Sequence, residues 1–200
     1  MIIGLTGSIA SGKSTVAAML REKGYPIVDA DEISRLVVEP GSPVLCEIKK
    51  AFGDEVIMED GQLNRAKLGD LIFNDIEKRQ QLNGIIHPAV RKEMLRQKEE
   101  WVAKGASTVI MDIPLLFESR LQPFVDKILV VSVTKDLQKS RLMARNGLSE
   151  AEAESRISSQ LPMEVKERGA DAIVDNNGAL EATKQQLEAV LEEWKAEPLF

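Results

Sequence analysis

Short apolar runs alternate with amphipathic stretches along most of this 200-residue chain. Ile2, Ile3 and Leu5 form a β-type run that stops in a Gly-rich turn. From Ser14 onward Val16, Met19 and Leu20 recur at helical spacing, and Gly24 marks the stop. Ile27 and Val28 predict a second short strand that ends at Asp29. The Val and Ile content of residues 107–113 and 127–133 predicts two buried parallel strands, and residues 172–175 predict the last one. Helices are expected over residues 137–146 and 149–160, with Gly147 between them. A further helix is expected over 180–195, with Leu187, Val190, Leu191 and Trp194 on one face. Strands that alternate with helices lead to a parallel sheet covered on both faces, the α/β class.

Residues 34–104 break this rhythm. They hold no convincing strand beyond 56–58 and read as several helices, with breaks near Pro40 to Pro43, Asp60 and Gly61, and His87 and Pro88. This is the pattern of a mostly helical insert that carries substrate contacts. There is no internal repeat, low-complexity tract or linker, so residues 1–200 are expected to form one unit. Hydrophobic residues make up 44% of the chain and charged residues 29%, as in ordinary globular proteins.

Charge and cysteine narrow the function. A net charge of −6 argues against a broad nucleic-acid or anionic-membrane surface, which needs an excess of Lys and Arg. No apolar run approaches the roughly 18 residues of a membrane span, and MIIGLTGS lacks the basic start and apolar stretch of a signal peptide. The expected location is therefore cytoplasmic. Cys46, the only cysteine, excludes an internal disulfide and is expected to be a small buried hydrophobe. One Cys and one His cannot make a structural zinc site.

The chemistry starts at Gly7-Ser8-Ile9-Ala10-Ser11-Gly12-Lys13-Ser14, which fits G-x-x-x-x-G-K-[ST] at every fixed position. Its glycines permit turns that aim successive N–H groups at an anion. The helix that follows presents free N–H groups and a favourable dipole to phosphate. Lys13 is expected to reach the β- and γ-phosphates, the Ser14 hydroxyl to ligate Mg²⁺, and Thr15 to complete the nucleotide-binding segment. Chance yields the four fixed positions in roughly one chain of this length per hundred, given Gly near 7% of residues. Here the motif also lies between a predicted strand and a predicted amphipathic helix.

A nucleotide site alone does not name a reaction. No N-K-x-D is present to read guanine, and the D-x-x-G at residues 175–178 lies near the C-terminus. A small-molecule kinase fits length, acidity and layout best. It needs an acceptor pocket, a base and arginines over the transferring phosphate. Asp29 and Asp31 place two carboxylates at the C-terminal end of a strand, where open α/β sheets bind ligands. The residues alone leave Asp31 open between a base for the acceptor hydroxyl and a helix cap. Arg141 and Arg145 share a helix face just before the Asn146–Gly147 break. That position suits either a closing lid or a solvated charged face. Arg156 and Gln160 repeat the spacing on the next helix. Trp101 and Trp194 are expected to be packing residues.

Six segments in order resemble the dephospho-CoA kinase family: GLTGSIASGKS at 4–14, DADEISR at 29–35, IIHPAVR at 85–91, DIPLLFE at 112–118, NGLSEAEAESRISSQ at 146–160 after the Arg141/Arg145 helix, and DAIVDNNG at 171–178. Together they span nearly the whole chain. Ala10 stands where relatives often carry a third loop glycine. The resemblance implies a P-loop NTPase-type three-layer sandwich around a five-stranded parallel sheet. The core would comprise about 1–33, 105–140 and 170–200, the helical substrate insert about 34–104 and the lid about 141–165. It implies transfer of the γ-phosphate of ATP, with Mg²⁺, to the ribose 3′-hydroxyl of dephospho-coenzyme A, and no nucleic-acid or membrane partner.

The same resemblance distributes roles. Asp31 matches the general base. Gly7, Ala10, Ser11, Gly12, Lys13, Ser14 and Thr15 match the nucleotide loop. His87 and Arg91, after which and before which Pro88 would start a helix, resemble a substrate-side pair. Asp112 would hold Mg²⁺ directly or through water. Leu115, Leu116 and Phe117 would line the acceptor pocket, with Glu118 undecided between pocket and core. Arg145 would be the lid arginine on the transferring phosphate, and Arg141 would lie against adenine or phosphate. Asn176 and Asn177 resemble the loop beside the ATP base.

Overall fold

The computed structural model describes all residues from Met1 to Phe200. They form two compact units, one of residues 1–28 with 98–200 and the other of residues 29–97.

The first unit is built on a five-stranded parallel sheet of β1 (Ile2–Gly7), β2 (Ile27–Asp29), β3 (Val109–Asp112), β4 (Lys127–Ser132) and β5 (Ala172–Asp175), whose last-named β2 residue begins the second unit. The strand order is β2-β3-β1-β4-β5. Strand β1 runs parallel to β3 on one side and to β4 on the other, and β4 runs parallel to β5. Val, Ile and Leu dominate these runs because a central parallel strand is buried on both faces. Ile3, Leu5, Ile110, Leu129 and Val131 are accordingly shut away from solvent. Register then fixes the chemistry. Leu5 lies opposite Asp112 in β3 and Leu129 in β4, so Asp112 ends its strand beside the start of the loop that leaves β1.

Helices α1 (Lys13–Glu22) and α9 (Leu180–Glu193) bury Val16, Ala17, Leu20, Leu187 and Leu191 against this sheet. Trp194 packs on the same cluster, and Trp101 meets Phe200 edge to face at 6.5 Å, so both tryptophans are packing residues. Helix α6 (Lys135–Asn146) ends at Gly147, whose φ of 64° gives the left-handed stop that glycine takes without strain. Helix α7 (Glu150–Ser158) opens with a capping box of Ser149 and Glu152. The six-residue α8 (Met163–Arg168) has no counterpart in the sequence-based reading, because six residues after Pro162 show no usable period.

The second unit is helical. It contains α2 (Ala30–Leu36), α3 (Pro43–Phe52), α4 (Arg65–Ile72) and the start of α5 (Ile76–Ala103). Val38, Leu45, Ile48, Phe52, Val56, Leu63, Leu68 and Leu82 form its core. Residues 56–58 contribute only a bridge between Ile57 and Leu63. Two expectations are corrected here. The chain does not break at His87 and Pro88, since α5 runs straight through Pro88. Proline removes one N–H and crowds the carbonyl four residues earlier. That carbonyl belongs to Gly84, which is exposed and open around its Cα, so water can serve it. Buried Leu82 and Met94 anchor the helix on either side. Cys46 is exposed rather than buried, because α3 turns Leu45, Ile48 and Phe52 inward and leaves the next position outside.

Candidate active site

The loop after β1 is held by hydrogen bonds within itself. Ser11 N–H donates to the Ser8 carbonyl at 3.0 Å, and Thr15 N–H to the Gly12 carbonyl at 3.0 Å. Ala10 has φ 60° and Gly12 has φ 90°, the left-handed conformations that let neighbouring N–H groups turn to one side. The Gly12 position admits no side chain for a second reason: a Cβ there would collide with Asn176 Nδ2. Gly7 is confined as well, since a Cβ would lie 2.6 Å from Ser11 Oγ and 2.9 Å from the Val131 carbonyl. Lys13 and Ser14 open α1, where the first amides have no partner inside the helix and the helix dipole favours an anion.

Lys13 Nζ is paired with the carboxylate of Asp112, which is buried at the end of β3. This holds the ammonium beside the end of β3, within the phosphate-loop motif. Ser14 is exposed on the first turn of α1.

Side chains from distant segments hold the loop from behind. Asn176 is buried, donates through Nδ2 to the Ser11 carbonyl at 2.8 Å and accepts from Thr183 Oγ1 at 2.9 Å. Its amide is thus spent on the loop. The fully buried Lys166 donates to the Gly7 carbonyl at 3.0 Å and pairs with Glu118 at 2.9 Å. Glu118 also accepts from Leu161 N–H at 3.1 Å, so it ties α8 and its approach to the core. Gln138 Nε2 donates to the Ile9 carbonyl at 2.7 Å, and Gln160 Oε1 accepts from the Ile9 N–H at 2.8 Å. No sequence motif marked Lys166 or Gln138. Helical spacing flagged Gln160 without a role.

The arginines and asparagines expected at the nucleotide divide. Arg141 Nη2 donates to the Asn176 carbonyl at 2.9 Å, which joins α6 to the loop after β5. Asn177 Oδ1 accepts from Thr134 N–H at 2.8 Å and serves the start of α6, which has no side-chain cap of its own. Arg145 is exposed, and its Nε donates to the neighbouring Asn146 Oδ1 at 2.9 Å. A cleft of about 1180 Å³ opens beside α6, with Thr134, Gln138, Gln160 and Asn177 in its wall. Glu154, Glu164, Glu167 and Asp175 also line it, which suits a phosphate poorly compared with the loop.

After β3, Leu115 is 42% exposed while Leu116 is fully buried. Leu116 is therefore core, lying where any Cβ on Gly4 would strike it at 2.6 Å. Phe117 packs over Gly169, whose Cβ would come within 2.5 Å of the ring.

In the helical unit, the cap left open for Asp31 is made by Asp29. Its Oδ1 accepts from Asp31 N–H at 2.9 Å and Glu32 N–H at 3.1 Å. Asp31 takes no part as acceptor there and is exposed on the first turn of α2. His87 and Arg91 are exposed one turn apart on α5.

A parallel sheet of order β2-β3-β1-β4-β5, with a phosphate loop leaving its central strand and a lysine at that loop, defines a P-loop nucleotide-binding fold. The Dephospho-CoA kinase family profile matches residues 1–182. A protein of that name from Geobacillus kaustophilus (strain HTA426) is 53% identical over 196 residues, covering 98% of both chains. Among solved structures, TT1252 from Thermus thermophilus is 38% identical with a TM-score of 0.82, covering 96% of this chain and 97% of its own. Dephospho-CoA kinase from Campylobacter jejuni is 28% identical with a TM-score of 0.75, covering 96% of both. The chain belongs to the dephospho-CoA kinase family.

Proposed function

We propose that this chain transfers the γ-phosphoryl group of ATP to the ribose 3′-hydroxyl of dephospho-coenzyme A, giving coenzyme A and ADP. The observation that carries this reading is the braced phosphate loop with Lys13 beside Asp112, in a chain that is 53% identical to a dephospho-CoA kinase over nearly its full length. The transition state of phosphoryl transfer is loose and highly charged, so catalysis is mainly positioning and charge stabilisation. The loop amides and Lys13 bind the outer phosphates. Arg145, carried on the segment around 141–165 that would act as a lid, swings from Asn146 to the transferring group, and Arg141 holds the nucleotide side. Asp31 orients the acceptor hydroxyl and takes its proton as the new P–O bond forms and the bond to ADP breaks. The helical unit supplies acceptor contacts through His87 and Arg91, with Leu115 and Phe117 as apolar lining.

Mg²⁺ fits the donors present. No group of three or more His, Cys, Asp and Glu side chains is arranged to hold a metal, yet Mg²⁺ in such kinases needs only one or two protein oxygens besides phosphates and water. The exposed Ser14 hydroxyl and the Asp112 carboxylate would supply those oxygens. When bound, the ion neutralises developing phosphate charge. No helix is long and apolar enough to cross a membrane, and with an acidic chain holding a single cysteine we place the enzyme in the cytoplasm, without a nucleic-acid partner.

The test is ADP release from Mg·ATP with dephospho-CoA, adenosine, AMP and shikimate as separate acceptors. Stimulation by dephospho-CoA alone is expected. Nucleotide binding without that stimulation would overturn the assignment.

A further inference from the structure

The Ile9 peptides are gripped on both sides. Gln138 donates to the Ile9 carbonyl at 2.7 Å, and Gln160 accepts from the Ile9 N–H at 2.8 Å. A backbone carbonyl only accepts and an N–H only donates, so both side-chain amides have a fixed orientation. Gln138 is 3% exposed. Burying an amide is unfavourable unless it is bonded, and a leucine would fill that space without the requirement. The bond to the loop is what the glutamine provides.

The consequence lies one atom further along the chain. The loop has no cis peptide, and across a trans peptide the carbonyl and the next N–H point in opposite directions. With the Ile9 carbonyl held by Gln138, the Ala10 N–H is turned away from α6. Lys166 on the Gly7 carbonyl and Asn176 on the Ser11 carbonyl act in the same sense, pulling loop carbonyls outward. The Gly7, Ile9 and Ser11 carbonyls are thus engaged by protein donors, as an anion-binding loop requires of groups that would repel a phosphate.

We propose that Gln138 and Gln160 are positioning residues for phosphoryl transfer: together they lock the Ile9 peptides so that the Ala10 N–H faces the bound phosphates. This rests on the reading that the loop binds the phosphates of ATP. Both act through Ile9.

The two have opposite polarity, which supplies the test. Gln160→Glu keeps an acceptor for the Ile9 N–H. Gln138→Glu replaces a donor with a carboxylate facing a carbonyl. Both place a carboxylate near the same peptide, and Gln160→Leu against wild type reads the bond with no added charge. Calorimetric titration with Mg·ATP is expected to show Gln138→Glu binding at least about tenfold more weakly than Gln160→Glu, and Gln160→Leu about tenfold more weakly than wild type, the worth of one such bond. The KM for dephospho-CoA should stay within about twofold, a split that general loosening of the fold would not give. If Gln138→Glu does not fold, Gln160→Leu against wild type carries the test by itself. Wild-type affinity in Gln160→Leu, or equal affinities in the two Glu variants, overturns the proposal. A wild-type protein that binds no Mg·ATP overturns the phosphate-loop reading and the clamp with it.

Discussion

The phosphate loop and the residues assigned to the chemistry are built in opposite ways. The loop is braced by the rest of the fold, with carbonyls of Gly7, Ile9 and Ser11 each held by a side chain from another segment. Asp31 and Arg145 stand exposed on helix surfaces, the first outside its own helix cap and the second bonded only to its neighbour Asn146. The difference follows from what each must do. An anion site made of backbone dipoles works only if it is rigid beforehand, because dipoles that must reorganise give back what they gain. The proposed base and lid arginine would have to admit and release substrate, which suits side chains left free of the rigid core.

Three substitutions would break or sharpen this contrast. The largest effect is expected for Gly12→Ala. It forces a side chain into φ 90° and against Asn176, so strain and overpacking together cost about 3–5 kcal/mol of stability. Urea unfolding reads that loss, and nucleotide binding should vanish with it; an unchanged midpoint would show that the loop is not held as described. Asp31→Asn should act in the opposite manner. A general base contributes about 10²- to 10⁴-fold, so kcat should fall by that factor while the KM for ATP holds. Stability should move by less than about 0.5 kcal/mol, as for an exposed site. Near-normal turnover would remove Asp31 from the role. The smallest effect belongs to Ala10→Gly. Relief of the left-handed strain at φ 60° outweighs the extra freedom glycine has in the unfolded chain, so the variant should gain at most about 1 kcal/mol. A loss of stability in thermal unfolding would contradict this.

The parts legible in the sequence were those encoded by neighbouring residues. The loop motif is eight consecutive positions, each with its own constraint, and the strands announce themselves by Val and Ile. The supports were not legible. Gln138, Gln160, Lys166 and Asn176 reach the loop across sequence separations of 129, 151, 159 and 165 residues. A glutamine or lysine on a helix looks like a solvated position until the fold shows what it faces. Asn176 stands out only through its resemblance to a loop beside the ATP base; that its side chain braces Ser11 is visible in the fold alone. Pro88 misled for a related reason: local propensity says stop, and the buried Leu82 and Met94 on either side carry the helix through.

The central claim is that the phosphate held by this loop goes to a ribose 3′-hydroxyl. The most direct measurement is mass spectrometry and phosphorus NMR of the product formed from Mg·ATP and dephospho-CoA by the wild-type protein. One added phosphoryl group is expected, a 3′-phosphomonoester, formed in step with ADP. ADP released without a phosphorylated product, or a phosphate at another position, would contradict it.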